Sequence, residues 1–130
     1  MAIVVVDDDD DVRNAVRAIL ESEGHRTIGA GTGEEALFLL EHSEHRPSLI
    51  LLDLMMPGMD GWQVLARIDE QDDLHSIPVA LMSAHPSVRR ALERSKASDE
   101  SRRLLFPKPL NVLRLLSLVE EVCGRPDPPI

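Results

Sequence analysis

The stretch "IVVVDDDDDV", residues 3–12, places an aliphatic run directly before five consecutive aspartates. The continuous β-branched run over residues 2–6 predicts a strand that is covered on both faces, because it shows no alternation of apolar and polar residues. Carboxylates at this spacing repel one another and gain nothing from burial. The aspartates therefore belong either to a solvated turn or to a site that binds something cationic.

The pairing of a strand with a following helix recurs along the chain. Four further strands are predicted at residues 25–30, 48–54, 77–83 and 104–110. Pro107 cannot donate a ladder hydrogen bond, which predicts an edge position for the last of them. Strands that alternate with helices indicate βα units, and hence an α/β fold with a parallel sheet.

Helices are predicted after each strand from apolar residues at helical spacing, including one after residue 87 and a last one that ends near Cys123. The later aspartates of the opening run suit the start of the first helix, with Asp10 or Asp11 expected as its N-cap. Two other helix starts carry a capping-box pattern, "TGEE" (32–35) and "DGWQ" (60–63).

The composition excludes several classes of function. A chain of 130 residues with 43% apolar and 28% charged residues is expected to form one globular domain. Its net charge of -9 and its aromatic content of 2% argue against nucleic-acid binding. A single cysteine forms no internal disulfide and suits a reducing compartment. The apolar start is too short for a signal peptide or a membrane span, so a cytoplasmic location without membrane contact is expected.

The chemically useful residues fall at the carboxyl ends of the predicted strands. Asp7 and Asp8 follow the first strand, Asp53 ends the third, and Ser83 and Lys108 end the fourth and fifth. In an open parallel sheet the ligand crevice lies beyond these ends. The residues are therefore expected to converge at one edge of the sheet.

Three converging carboxylates suit a hard divalent cation such as Mg²⁺. Asp53, flanked by two leucines, is expected to lie deepest, and a carboxylate can act as nucleophile toward a phosphoryl group. The Lys108 ammonium would offset the repulsion between the two anions, and the Ser83 hydroxyl would donate to a phosphoryl oxygen. The set of residue types therefore indicates phosphoryl transfer.

Four pieces of sequence carry a family resemblance: "VVVDD" (4–8), "ILLDLMMPGMDGW" (50–62), "PVALMSA" (78–84) and "FPKPL" (106–110). In this order and at these spacings, the chain resembles the response-regulator receiver domains of two-component signal transduction, the CheY-like family. The resemblance covers nearly the whole chain. It implies a flavodoxin-like (βα)5 doubly wound parallel sheet with strand order 2-1-3-4-5, forming a single domain over residues 1–123. Residues 124–130 are expected to be a flexible tail or a linker stub.

The resemblance also implies a role for each site residue. Asp53 would be the phosphoacceptor, and Mg²⁺, or Mn²⁺ in its place, would be bound by Asp7, Asp8, Asp53 and the backbone carbonyl of Met55. Ser83 would be the hydroxyl residue that contacts the phosphoryl group, and Lys108 the basic residue beside it.

Three positions depart from the common pattern of the family. Leu105 stands where many receiver domains have an aromatic switch residue, so the switch is expected either to use an aliphatic side chain or to be blunted. Met55 and His85 stand at the two positions that flank the route of the hydrolytic water. Because a thioether is a poor hydrogen-bond partner for water, the phosphorylated form is expected to be long-lived.

By resemblance, the chain is a signalling phosphoacceptor, with no enzymatic activity beyond its own phosphorylation and dephosphorylation. A sensor histidine kinase or a histidine phosphotransfer protein would supply the phosphoryl group, and an unidentified effector protein would read the result. The switching surface would comprise the helix after residue 87, the last strand and the last helix. The protein is expected to be a monomer or a phosphorylation-dependent dimer.

Three alternatives remain open at the level of sequence. A pseudo-receiver would keep the fold but bind partners without phosphorylation. A phosphatase of the haloacid-dehalogenase kind would need a second aspartate two residues after the nucleophile, where Met55 stands. A flavodoxin-like FMN binder would need a phosphate-binding loop after the first strand, where the aspartates would repel the cofactor.

Overall fold

The computed structural model describes residues 2–42, 46–83 and 111–124, and residues 103–107 as a backbone strand without side-chain detail. Five strands occur in this part of the chain: Ala2–Val6 (β1), Arg26–Ala30 (β2), Leu49–Asp53 (β3), Val79–Ser83 (β4) and Arg103–Pro107 (β5). The helices are Asp10–Ser22 (α1), Gly33–His42 (α2), Gly61–Glu70 (α3) and a C-terminal helix, Val112–Cys123. The helix predicted after residue 87, together with His85, Lys108 and the end of the expected tail, lies outside the described residues.

The strands form one parallel sheet in the order β2-β1-β3-β4-β5. The predicted α/β fold and strand order are confirmed, and β5 lies at an edge as Pro107 indicated. Strand β1 lies between β2 and β3, so the direction in which strands are added reverses at β1. The carboxyl ends of β1 and β3 therefore flank the topological switch point, where ligands bind in folds of this kind.

The sheet is covered on both faces, which explains the uninterrupted apolar strands. Val4 and Val6 pack with residues of α2 and α3. Ile3 and Val5 point the other way and pack with residues of α1 and the C-terminal helix. Each fully buried aliphatic side chain contributes about 1.5–3 kcal/mol, so these two layers hold the strand ends in register. No helix in the described part of the chain is long and apolar enough to cross a bilayer.

Helix α1 begins one residue earlier than expected. Its N-cap is Asp9, whose carboxylate accepts from the backbone N–H groups of Asp11 and Val12 at 3.0 and 3.2 Å. The prediction of Asp10 or Asp11 as the cap was wrong, because the cap is the last residue with extended backbone, and both of these already lie in the first helical turn. There they interact favourably with the helix dipole.

One of the two predicted capping boxes is complete. At the start of α3 the Asp60 side chain accepts from the Gln63 N–H, and the Gln63 side chain accepts from the Asp60 N–H, both at 3.0 Å. At the start of α2, Thr32 accepts from the Glu35 N–H at 3.0 Å, but the Glu35 carboxylate accepts from the N–H of Gly31 instead of closing on Thr32.

Candidate metal centre

The register of the sheet brings three carboxylates together. Val6 lies opposite Leu52 in the β1–β3 ladder. The residues that follow these two, Asp7 and Asp53, therefore lie side by side at the carboxyl edge of the sheet. Asp8 follows Asp7, just beyond the carboxyl end of β1. One carboxylate oxygen from each of the three aspartates lies within 4.8 Å of the others. Oxygen atoms at this spacing can hold a metal ion.

The two strand-end carboxylates are buried. Asp7 is 0% and Asp53 3% exposed, whereas Asp8 is exposed. The expectation that Asp53 lies deepest is not met, because Asp7 is buried to the same degree. Ionised carboxylates are costly to bury near one another, and a cation among them offsets this cost.

The two buried carboxylates are oriented by two separate backbone turns of the same type. At the end of β1, Asp7 Oδ1 accepts from the N–H of Asp9 at 3.0 Å. At the end of β3, Asp53 Oδ1 accepts from the N–H of Met55 at 3.1 Å. An aspartate that accepts from the N–H two residues later forms a turn of its own, and this fixes its side-chain orientation. The two carboxylates are therefore positioned before any ligand arrives.

Gly61, which the sequence did not single out, packs directly against the end of β3. Its N–H donates to the carbonyl of Leu54 at 3.1 Å. A Cβ atom at this position would lie 2.4 Å from the Asp53 carbonyl oxygen and 2.6 Å from the Leu54 Cα. Only glycine permits this approach of α3 to the strand. The one signal in the sequence was the glycine directly after the N-cap.

Ser83 is the last residue of β4, and its side chain is buried. Met82 lies opposite Asp53 in the β3–β4 ladder, so Ser83 extends one residue beyond it toward the same edge. Ser83 in turn lies opposite Pro107, which is followed in sequence by Lys108. The structure thus brings Ser83 to the predicted edge, while Lys108 lies outside the described residues.

The positions that depart from the family pattern are described in part. Met55 is 53% exposed beside Asp53. Leu105 lies in β5 opposite Leu81, without a described side chain. His85 lies outside the described residues.

The sequence model of a protein family, the response regulator receiver domain, matches residues 3–120 of this chain. The chain belongs to this family. Receiver domains are signalling domains of two-component systems, and they interact with histidine kinases or phosphotransfer proteins. The predicted family, fold class and signalling function are thereby confirmed.

Individual proteins resemble the chain over nearly its whole length. A 14.6 kDa uncharacterised protein from Leptolyngbya boryana is 36% identical over 95% of this chain and 90% of its own length. The response regulator MprA from Mycobacterium sp. (strain KMS) is 33% identical over 97% of this chain, which spans 52% of MprA. The structure of the Vibrio cholerae chemotaxis protein CheY4 superposes with a TM-score of 0.77 at 25% identity, covering 94% of this chain and 98% of CheY4.

Proposed function

We propose that this receiver domain accepts a phosphoryl group on Asp53, with Mg²⁺ bound by Asp7, Asp8 and Asp53. The observation that carries the proposal is the convergence of carboxylate oxygens from two separate strands within 4.8 Å. Aspartates that served only to begin helix α1 would need no partner carboxylate on β3. The presence of Asp53 at the same level is what favours a shared cation.

The donor set suits Mg²⁺. All the side-chain donors are carboxylate oxygens, which hard cations prefer, and Mg²⁺ is usually bound by one or two carboxylates together with waters and phosphate oxygens. Asp8 is exposed, so the site has an open side from which a phosphoryl group can enter. The backbone carbonyl of Met55 is proposed as a further ligand. Mn²⁺ accepts the same ligand types and would substitute. When bound, the ion supplies positive charge that offsets the repulsion between carboxylate and phosphoryl group.

The reaction forms an acyl phosphate. A carboxylate oxygen of Asp53 attacks the phosphorus of a phosphohistidine, a P–O bond forms, and the P–N bond to the imidazole breaks. The imidazole leaves with the electron pair of that bond and takes up a proton. The hydrogen bond from the Met55 N–H to Asp53 Oδ1 holds the carboxylate in one orientation, and such positioning lowers the entropic part of the barrier.

Ser83 and Lys108 are proposed to contact the transferred group. The buried Ser83 hydroxyl would donate to a phosphoryl oxygen, and the Lys108 ammonium would pair with its charge. These contacts stabilise one of two packings of the nearby surface, which is how a phosphoryl group shifts a population. The surface concerned comprises the segment after residue 87, β5 and the C-terminal helix, with Leu105 at the switch position.

The donor is proposed to be a sensor histidine kinase or a histidine phosphotransfer protein in the cytoplasm, and the reader an effector protein. The domain itself is proposed to span residues 1–123, followed by a tail or linker. Its only reactions would be its own phosphorylation and dephosphorylation. It would work as a monomer or as a phosphorylation-dependent dimer.

Phosphorylation can be tested without the partner kinase. After incubation with acetyl phosphate and Mg²⁺, intact-mass analysis is expected to show the gain of one phosphoryl group. The same incubation with EDTA should give none, because the carboxylate and the incoming anion then repel each other. A protein that stays unmodified with Mg²⁺ would contradict the proposal and favour a phosphorylation-independent binding module.

Replacing Met55 with asparagine is expected to shorten the lifetime of the phosphorylated state about fivefold. The Met55 side chain is exposed beside Asp53, and an amide there can hydrogen-bond the attacking water. One such bond contributes about 1 kcal/mol, which corresponds to the fivefold change in rate. The decay of phosphorylated protein, followed by intact mass after removal of acetyl phosphate, measures it.

Met55→Leu is the matched control, because leucine is apolar, of similar size and unable to bind water. Its decay should equal that of the wild type. If Met55→Asn decays at the wild-type rate or more slowly, the thioether at this position is not what prolongs the phosphorylated state.

A further inference from the structure

We infer that Arg13 is a positioning residue of the metal centre, whose guanidinium holds the turn that presents Asp7 and Asp8. The inference rests on the proposed function, since it concerns the affinity of the same three carboxylates for Mg²⁺. Arg13 touches none of the three metal-binding carboxylates and acts on the backbone beside them.

Arg13 reaches back from the first turns of α1 to the end of β1. Its Nη1 donates to the backbone carbonyl oxygen of Asp7 at 2.8 Å. Its Nη2 pairs with Asp10 Oδ1 at 2.5 Å. The Arg13 side chain is 17% exposed, so solvent competes little for its bond to the Asp7 carbonyl; the Asp10 side chain is 78% exposed, so the ion pair is the weaker of the two attachments. The rigid, planar guanidinium thereby joins the strand end to the helix start, with Asp8 held between the two points of attachment.

The neighbouring strand leaves room for this side chain. A Cβ atom at Gly31 would lie 3.2 Å from Arg13 Nη1, and one at Gly29 would lie 3.3 Å from Arg13 Cδ and 3.0 Å from Arg17 Nη1. These distances are tighter than ordinary van der Waals contact, so a side chain at Gly31 would displace Arg13, and one at Gly29 would displace both arginines. The two glycines of "TIGAG" (27–31) therefore form the seat on which Arg13 lies.

Charge and positioning predict opposite effects when Arg13 is removed. A guanidinium near a cation site repels the cation, so the loss of its charge alone would strengthen Mg²⁺ binding. If Arg13 instead holds the Asp7–Asp8 turn, its loss lets the turn relax and weakens Mg²⁺ binding. The sign of the change in affinity therefore distinguishes the two roles.

The test is a titration of the metal-free protein with Mg²⁺. Binding is monitored by calorimetry and by the fluorescence of Trp62, the chain's single tryptophan. Arg13→Met keeps the apolar stem and is expected to raise the dissociation constant about tenfold, as is usual when a group that orients a metal ligand is lost. Arg13→Lys keeps the charge but cannot hold both attachment points, and it too is expected to bind more weakly than the wild type.

Arg17→Met is the matched control. It removes the same charge one turn further along α1, where Arg17 Nε donates to Thr27 Oγ1 at 3.0 Å and Nη2 lies 4.0 Å from Glu21. Neither contact touches the acidic turn, so the Mg²⁺ affinity should be unchanged or slightly increased. Far-UV circular dichroism checks that each variant is folded, and Arg13→Lys serves as the mild variant should Arg13→Met unfold.

The amide resonance of Asp9 gives a second readout. Its N–H donates to Asp7 Oδ1, so it should shift in metal-free Arg13→Met and stay in place in Arg17→Met. Mg²⁺ binding by the Arg13 variants that equals or exceeds that of the wild type overturns the inference and leaves the proposed function standing. Absence of Mg²⁺ binding by the wild type overturns both.

Discussion

The Asp53→Asn protein is expected to gain no phosphoryl group from acetyl phosphate and Mg²⁺, under conditions that modify the wild type. An amide is far less nucleophilic than a carboxylate, and the substitution also removes one of the three charges that gather at the strand ends. The expected effect is a complete loss of the mass gain, which is the largest change predicted for any single substitution in this chain.

Asparagine is a clean replacement at this position. Its side-chain oxygen can still accept from the Met55 N–H, as Asp53 Oδ1 does at 3.1 Å, so the turn after β3 should persist. Asp73→Asn is the matched control, because Asp73 is an exposed carboxylate outside the metal centre, and this variant should be modified like the wild type. A mass gain in Asp53→Asn equal to that of the wild type would mean that another residue is the acceptor.

Replacing Gly61 with alanine is expected to slow phosphorylation about 100-fold and to lower the free energy of unfolding by about 1–3 kcal/mol. The added methyl group would meet the Asp53 carbonyl oxygen at 2.4 Å, which is backbone and cannot move aside cheaply. Forcing extra atoms into a packed region lowers the free energy of unfolding by about 1–3 kcal/mol. Displacing a reacting group by about 1 Å slows its reaction about 100-fold.

Gly58→Ala separates the contact at Gly61 from a general effect of replacing a glycine near the start of α3. Gly58 has a φ of +73°, so alanine there is strained, but its Cβ would meet nothing within 4 Å. This variant should lose about 1 kcal/mol of stability and keep the wild-type rate of phosphorylation. Urea unfolding and time-resolved intact mass measure the two effects. A Gly61→Ala protein that is phosphorylated as fast as the wild type would show that α3 does not position Asp53.

The sequence was sufficient for the sheet and for the gathering of the carboxylates. Both β1 and β3 are uninterrupted apolar runs, and such runs predict strands buried on both faces of a parallel sheet. Polar residues that follow such strands must meet at the carboxyl edge. The capping box of Asp60 and Gln63 is a local pattern as well, which is why it could be predicted from four residues.

The parts that could not be predicted depend on contacts between distant segments. The N–H of Asp7 remains bonded to the Ala30 carbonyl at the end of the neighbouring strand, and no pattern within β1 indicates this. Arg13 has the spacing of an ordinary helical residue, and its contact with the Asp7 carbonyl depends on the seat that Gly29 and Gly31 provide at the end of β2. Asp9, and not a neighbouring aspartate, is the N-cap of α1 because it is the last residue with extended backbone after β1.

The claim on which the account depends is that carboxylates from β1 and β3 share one divalent cation. Paramagnetic Mn²⁺, added at less than one equivalent to the isotopically labelled protein, tests it by broadening the amide resonances nearest the ion. We expect residues 7–9 and 53–55 to broaden together and first, ahead of the exposed acidic segment at residues 69–73. Broadening confined to one strand end, or strongest at residues 69–73, would contradict the shared site and with it the proposed role of Asp53.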